Sequence, residues 1–194
     1  MNIAAIALGY IFGSIPFALL LTRPLGVDLR AAGSRNVGAA NVLRTAGVAP
    51  AVAVMLLDSA KGAMAVLVAR LVTDDLGVVM AAGLAAIVGH VYPAWLRFRG
   101  GKGVATSAGV FAMLAPFATA IAALVFVGTI FVTRFISAGS IAGALALAIA
   151  AAAGNVPGPI VAGAVLAALL VVHRHRDNLS RLIAGTERRI GLRL

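Results

Sequence analysis

The sequence contains no cysteine, which excludes both a disulfide framework and a thiolate metal site. Three histidines and six acidic residues leave little from which to build a metal centre, and no metal or cofactor is expected. Charge is scarce too: 11% of the 194 residues, where soluble domains carry about 25%. A soluble domain of this length could not cover its surface with so few polar groups. The basic start of a secretory signal is also missing. The first cation is Arg23, so the apolar N-terminal run is expected to be a membrane span rather than a cleavable signal peptide.

What is present is apolar. Hydrophobic residues make up 62% of the chain, and the mean hydropathy is +1.06. A span needs about 20 such residues. The candidate runs are 3–22, 48–72, 77–96, 104–135, 139–154 and 159–174. The fourth would measure about 48 Å as one helix, against a hydrocarbon core of about 30 Å. Pro116 lies inside it and is expected to split it into a short helix 104–115 and a longer one 117–135. The expectation is an all-α integral membrane protein: about seven transmembrane helices in a single domain, 1–194.

The net charge of +10 would point to nucleic acid in a soluble protein. Here the cations stand in gaps between apolar runs, the pattern of cytoplasmic loops, so no nucleic-acid partner is expected. With the N-terminus outside and seven spans, every lysine and arginine except Lys61 and Arg70 is cytoplasmic, as is the C-terminus. A single crossing by 104–135 would instead put the basic tail outside, against the bias. Gly9–Gly13 and Gly139–Gly143 are GxxxG pairs and predict close helix packing. Leu179, Leu182 and Ile183, set among arginines, predict a short interfacial helix.

Three polar stretches fall on the expected cytoplasmic face. GSRNVGAANVLR, Gly33–Arg44, combines Ser34, the amides of Asn36 and Asn41, and the cations Arg35 and Arg44 with flexible glycines. Freed backbone amides and an arginine fork suit a phosphate, although a plain solvated loop has the same composition. GHVYPAWLRFRGGKGVAT, Gly89–Thr106, is no Walker A loop, since Leu96 stands where that pattern needs glycine. Gly100, Gly101 and Gly103 around Lys102 predict a nest of N–H groups before a helix N-terminus. His90 on its own reads as a packing histidine. The third stretch, HRHRDNLSRLIAGTERR from His173 to Arg189, holds His175, Asn178 and Glu187; binding of anionic headgroups would explain its cations equally well. Inside a span, Asp58 and Lys61 lie three apart on one helix face and are read as a structural pair. Ser137 and Ser140 read as helix N-caps. Together the three patches favour an anionic, phosphorylated ligand.

These residues resemble the bacterial acyl-phosphate:glycerol-3-phosphate acyltransferases, membrane-embedded enzymes. The likeness covers essentially the whole chain. GSRNVGAANVLR matches the family's first motif, with Ala40 where a threonine is usual. GHVYP and RFRGGKGVAT match the second, with Trp95-Leu96 departing from its aromatic pair. HRHRDN and the later glutamate match the third, with His173 outside it, and DSAKG at Asp58–Gly62 looks like the family's second helix. The resemblance implies a seven-helix fold and acyl transfer from acyl-phosphate to the 1-hydroxyl of sn-glycerol 3-phosphate, as the first acylation of phospholipid synthesis. It implies that Ser34, Arg44 and Lys102 hold the donor phosphate, and that Gly100, Gly101 and Gly103 form the phosphate loop. It further implies that His175 and Asn178 are needed for activity, that Glu187 is structural, and that a serine near the fifth-to-sixth helix turn joins the site: Ser140, with Ser137 as the alternative. Asn36, Asn41 and His90 are placed with the substrate-binding residues. The implied setting is the bacterial plasma membrane with a cytoplasmic active site, in functional coupling to the enzyme that makes the acyl-phosphate.

An acyl-phosphate carries its own leaving group, so no strong covalent nucleophile is required; holding and aligning the substrates suffices. The HxxxxD pair of thioester-using acyltransferases is absent: Trp95 follows His90 at that spacing, and Ser180 follows His175. The rival reading, a transporter of a phosphorylated metabolite, would want midplane ionisable residues and inverted repeats. Asp58 and Lys61 are its only candidates, and the sequence has no visible repeat.

Overall fold

A computed structural model of the chain describes residues 2–191, with side chains from residue 3 onward. Arg193, one of the cations expected inside, lies outside the described residues. All regular structure among the described residues is helical. The chain forms two compact units, Met1–Met113 and Leu114–Leu194.

In the first unit, helix α1 (Asn2–Gly13) stops short and α2 (Phe17–Thr22) continues the apolar run. The single expected span 3–22 is therefore broken at Ser14–Pro16, where proline brings no N–H. A break inside a span must find new partners for its carbonyls. It does so with side chains from far along the chain. The Trp95 indole donates to the Ser14 carbonyl at 2.8 Å, and the Lys61 ammonium to the Ile15 carbonyl at 2.9 Å. The Tyr10 hydroxyl, which donates to the Tyr92 carbonyl at 2.8 Å, fastens the same region.

A short helix, α3 (Ala39–Thr45), leads into α4 (Val48–Val72) and α5 (Leu76–Val91). The α5 N-terminus is capped by Asp75, whose Oδ1 accepts from the Gly77 and Val78 amides at 2.8 and 3.3 Å. Small residues let α1 and α5 touch. Gly9 and Gly13 lie against the Ala82 and Ala86 backbone, and Gly89 of α5 lies against Tyr10 and Ser14. A Cβ at any of the three would overlap backbone, as the first glycine pair predicts. Helix α6 (Val104–Leu114) lies on α4 in the same way, with Gly62 against Thr106 and Gly109 against Ser59.

In the second unit, α7 (Pro116–Thr133) begins at the proline expected to split the long apolar run, and the run breaks at Ala115. Its Leu124, Val127, Phe131 and Val132 are exposed, as a lipid-facing surface requires. Arg134 takes the left-handed conformation (φ 62°), and α8 (Ile136–Ala153) follows at once. Gly139 and Gly143 of α8 pack on Phe126 and Ile130 of α7, as the second pair predicts. Helices α9 (Gly158–Arg174) and α10 (Arg176–Ile183) meet at His175 with a 58° bend. On α10, Leu179 and Ile183 are exposed between arginines, so its apolar face is uncovered.

Among the described residues, five segments are long and apolar enough to cross a membrane: Ile3–Leu25, Val48–Val72, Leu76–Leu96, Pro116–Thr133 and Ile136–Ala153. The bent α9–α10 pair makes a sixth. The expected seventh rests on α6, whose 11 residues rise only about 16 Å against a core of about 30 Å. By length and composition, then, the described residues supply five spans, or six with the bent pair, and α6 alone bears on the expected seventh.

Candidate functional site

The first polar stretch is organised by Asn41, which is buried on α3. Its Oδ1 accepts the Ser34 amide at 2.7 Å, and its Nδ2 donates to the Leu29 and Ala32 carbonyls at 3.1 and 3.2 Å. Both ends of this amide, expected to face a ligand, are engaged by the loop itself. Gly33 and Arg35 both sit at φ 59°, a left-handed geometry that costs a non-glycine residue about 1–2 kcal/mol. The result presents Ser34 and Arg44 to the outside, with Asn36 half-buried. One Arg44 nitrogen, Nη1, donates to the Ala40 carbonyl at 3.0 Å.

The second stretch is clipped to the end of α5. The Gly100 amide donates to the Val91 carbonyl and the Gly101 amide to the His90 carbonyl, both at 3.0 Å. These N–H groups are engaged within the protein rather than left open in a nest. The two glycines answer a packing demand instead: a Cβ at Gly100 would meet the His90 carbonyl, and one at Gly101 the His90 imidazole. Only Gly103 needs glycine for its conformation, at φ 88°. The Ser107 amide donates to its carbonyl at 2.8 Å, so α6 starts immediately after it. Lys102 stands half-buried at that start, beside the positive end of the helix dipole. The two stretches meet in one apolar cluster, where Val37 and Leu96 pack with Leu29, Val42 and Val54.

Beneath this loop lie three buried ionisable side chains. Asp58 and Lys61 of α4 pair at 2.7 Å, and His90 Nδ1 is 3.6 Å from the same Asp58 oxygen. Lys61 also reaches the helix break through the Ile15 carbonyl. The pair therefore does more than neutralise itself: it joins α4 to the break and to α5. The buried hydroxyls of Thr106, the last residue of the second stretch, and of Ser107, just beyond it, have no hydrogen-bond partner among the described residues.

In the second unit, Glu187 is a hub. Its buried carboxylate accepts from Ser137 Oγ at 3.0 Å, Asn178 Nδ2 at 2.7 Å and Arg181 Nε at 2.7 Å. Burial raises its pKa, but the Asn178, Arg181 and Ser137 hydrogen bonds outweigh that, and the carboxyl titrates below its ordinary range. Arg181 was not singled out from sequence; its only signal is the three-residue spacing from Asn178 on one helix face. The Arg189 guanidinium over the Phe135 ring, at 5.3 Å, holds the segment beyond Glu187. Neither serine is a cap, because α8 starts at Ile136 with Phe135 as N-cap residue. Ser137 serves Glu187, and Ser140 back-bonds to the Ile136 carbonyl at 2.9 Å. His175 is buried at the α9–α10 bend. Its Nδ1 lies 2.8 Å from the Val171 carbonyl, which can only accept. In the neutral ring Nδ1 therefore carries the proton and Nε2 is the acceptor.

The model of the glycerol-3-phosphate acyltransferase family matches residues 3–185. A glycerol-3-phosphate acyltransferase of Myxococcus xanthus is 48% identical over 191 residues, covering 97% of this chain and 100% of that protein. One from Thermus thermophilus is 45% identical, covering 96% and 94%. The crystal structure of PlsY (YgiH), an integral membrane glycerol 3-phosphate acyltransferase, in its glycerol 3-phosphate form, superposes with a TM-score of 0.94 at 36% identity, over 98% of this chain and 96% of that one. Its lysophosphatidic acid form gives 0.92 at 34%, over 98% and 95%. The chain is an all-helical, multi-pass integral membrane protein, and it belongs to the glycerol-3-phosphate acyltransferase family of phospholipid biosynthesis.

Proposed function

We propose that the protein transfers a fatty acyl group from acyl-phosphate to the 1-hydroxyl of sn-glycerol 3-phosphate. The hydroxyl oxygen bonds to the acyl carbon, the bond from that carbon to the phosphate oxygen breaks, and lysophosphatidic acid and inorganic phosphate leave. The hydroxyl proton passes to a substrate phosphate. The observation that carries this reading is Lys102, set at the start of α6 by the clipped Gly100–Gly101 pair and the left-handed Gly103. A cation at a helix N-terminus is a phosphate site in waiting.

Ser34, Arg44 and Lys102 hold the donor phosphate, with Asn36 beside them. Gly100, Gly101 and Asn41 shape the loops that present these groups. His175, with Nε2 as acceptor, orients the attacking hydroxyl, and Asn178, fixed by Glu187, holds the reacting groups with it. Ser140 joins them, and Ser137 serves Glu187. Alignment and charge stabilisation supply the rate. No cofactor takes part, and the enzyme that makes the acyl-phosphate is the functional partner. The crystal forms of the related PlsY named for glycerol 3-phosphate and lysophosphatidic acid support the same acceptor and product here. The charge bias supports an outside N-terminus and a cytoplasmic site in a bacterial plasma membrane, with α6 as a short seventh crossing.

Replacing Lys102 with Met tests the reading. Acylation of glycerol 3-phosphate should be lost in protein that keeps its thermal unfolding midpoint. Wild-type turnover in that variant would reduce the loop to a turn.

A further inference from the structure

The buried ionic group under the loop is expensive. Inside a membrane protein a packed apolar trio would stabilise at least as well, so three ionisable side chains in one place ask for a role. Their arrangement is a chain of contacts. At the helix break the Ile15 carbonyl accepts from the Phe17 amide at 3.1 Å and from Lys61 at 2.9 Å; Lys61 pairs with Asp58 at 2.7 Å; and His90 Nδ1 faces Asp58 at 3.6 Å. The opposite edge of the imidazole then lies under Gly101. A Cβ at Gly101 would fall on His90 Nε2, with Cε1 and Cδ2 next nearest. Gly101 is bonded to the His90 carbonyl as well, so backbone and side chain of one residue support the loop together. Lys102 is the next residue.

We propose that His90 is a positioning residue for Lys102. Its imidazole is the floor that sets the height of the Gly100–Gly103 loop, and Asp58, anchored through Lys61 to the α1–α2 break, keeps that floor from turning. This rests on the reading of Lys102 as a phosphate ligand. It replaces the expectation that His90 binds substrate: His90 is 8% exposed, and its two ring edges face Asp58 and Gly101. It also gives the helix break a task, since the Ile15 carbonyl there anchors the far end of the chain.

The test uses substitutions that move the floor in opposite directions. His90→Asn keeps an amide edge toward Asp58 and removes the atoms under Gly101, so the loop sinks. Gly101→Ala adds a methyl group onto the imidazole, so the loop rises; Gly101 is not left-handed, so alanine is conformationally acceptable there. Each full-length variant is purified in detergent, and KM for acyl-phosphate and for glycerol 3-phosphate is measured alongside kcat per folded protein. Each single change should raise KM for a phosphorylated substrate by about tenfold while kcat stays within about threefold. The double variant should return KM toward wild type, because the added methyl fills the space that the ring vacates. Asp58→Asn should raise the same KM. Unchanged KM with less folded protein would make His90 a purely structural residue and overturn the proposal, and so would multiplicative effects in the double variant. If Lys102→Met retained wild-type turnover, the phosphate reading itself would fail, whatever the His90 variants did.

Discussion

Removing the Glu187 carboxylate should separate two kinds of damage. It accepts three hydrogen bonds, from Ser137, Asn178 and Arg181. Glu187→Ala removes the carboxylate acceptor of the Ser137 hydroxyl and of the Asn178 amide, 5% and 8% exposed, and each buried hydrogen bond lost costs about 1–3 kcal/mol. The Arg181 side chain is 42% exposed and can turn to water, so its loss adds at most about 1 kcal/mol. The total is about 2–7 kcal/mol, and Asn178 loses its anchor. Glu187→Gln keeps an oxygen for Asn178 and Ser137 and loses only the charged contact to Arg181, about 1 kcal/mol. Thermal unfolding and acylation rate, measured on the same preparations, should rank wild type, then Gln, then Ala, with the Gln protein retaining most of its activity. The sign with pH follows from the depressed pKa. The ionised carboxylate stabilises the fold at neutral pH, and that contribution fades as pH falls below the ordinary value of 4.5 and through the lower folded value. A Glu187→Ala protein as stable as wild type, or a Gln protein as damaged as Ala, would refute the hub.

Three further outcomes follow from other contacts. Asn41→Ala removes one bond to the Ser34 amide and two to carbonyls, and should cost about 2–3 kcal/mol with a matching drop in unfolding midpoint and a weakened donor KM. Gly13→Leu pushes a side chain into the Ala86 backbone and should destabilise by more than about 3 kcal/mol, seen as loss of monodisperse protein in detergent. The chain has no cysteine, so single cysteines report sidedness cleanly. A cysteine at Asp74 or Asn155 should react with an impermeant maleimide added to intact cells, and one at Phe98 or Asp177 only after lysis.

The spans were legible because a membrane imposes length on apolar runs, and the split near Pro116 appeared one residue before the proline for that reason. The glycine pairs were legible because close packing has a short-range spacing. The break at Ser14–Pro16 was not. Its proline was visible, but whether a span tolerates a break depends on partners for the carbonyls there, and these include Trp95 and Lys61, far along the chain. The same holds for the site. Residue types led to the expectation of a phosphate ligand, yet the contacts within the loops differ from their spelling. Gly100 and Gly101 meet a packing demand set by His90, Asn41 faces inward, and the Glu187 hub gathers donors from as far away as Ser137. Contacts of this kind are decided by tertiary geometry, which local pattern does not encode.

The central claim is the chemistry of the donor. Purified protein in lipid, given labelled glycerol 3-phosphate, should form labelled lysophosphatidic acid with acyl-phosphate and release one inorganic phosphate for each product. It should form none with an acyl thioester. Product from the thioester, or none from acyl-phosphate in folded protein, would contradict the account.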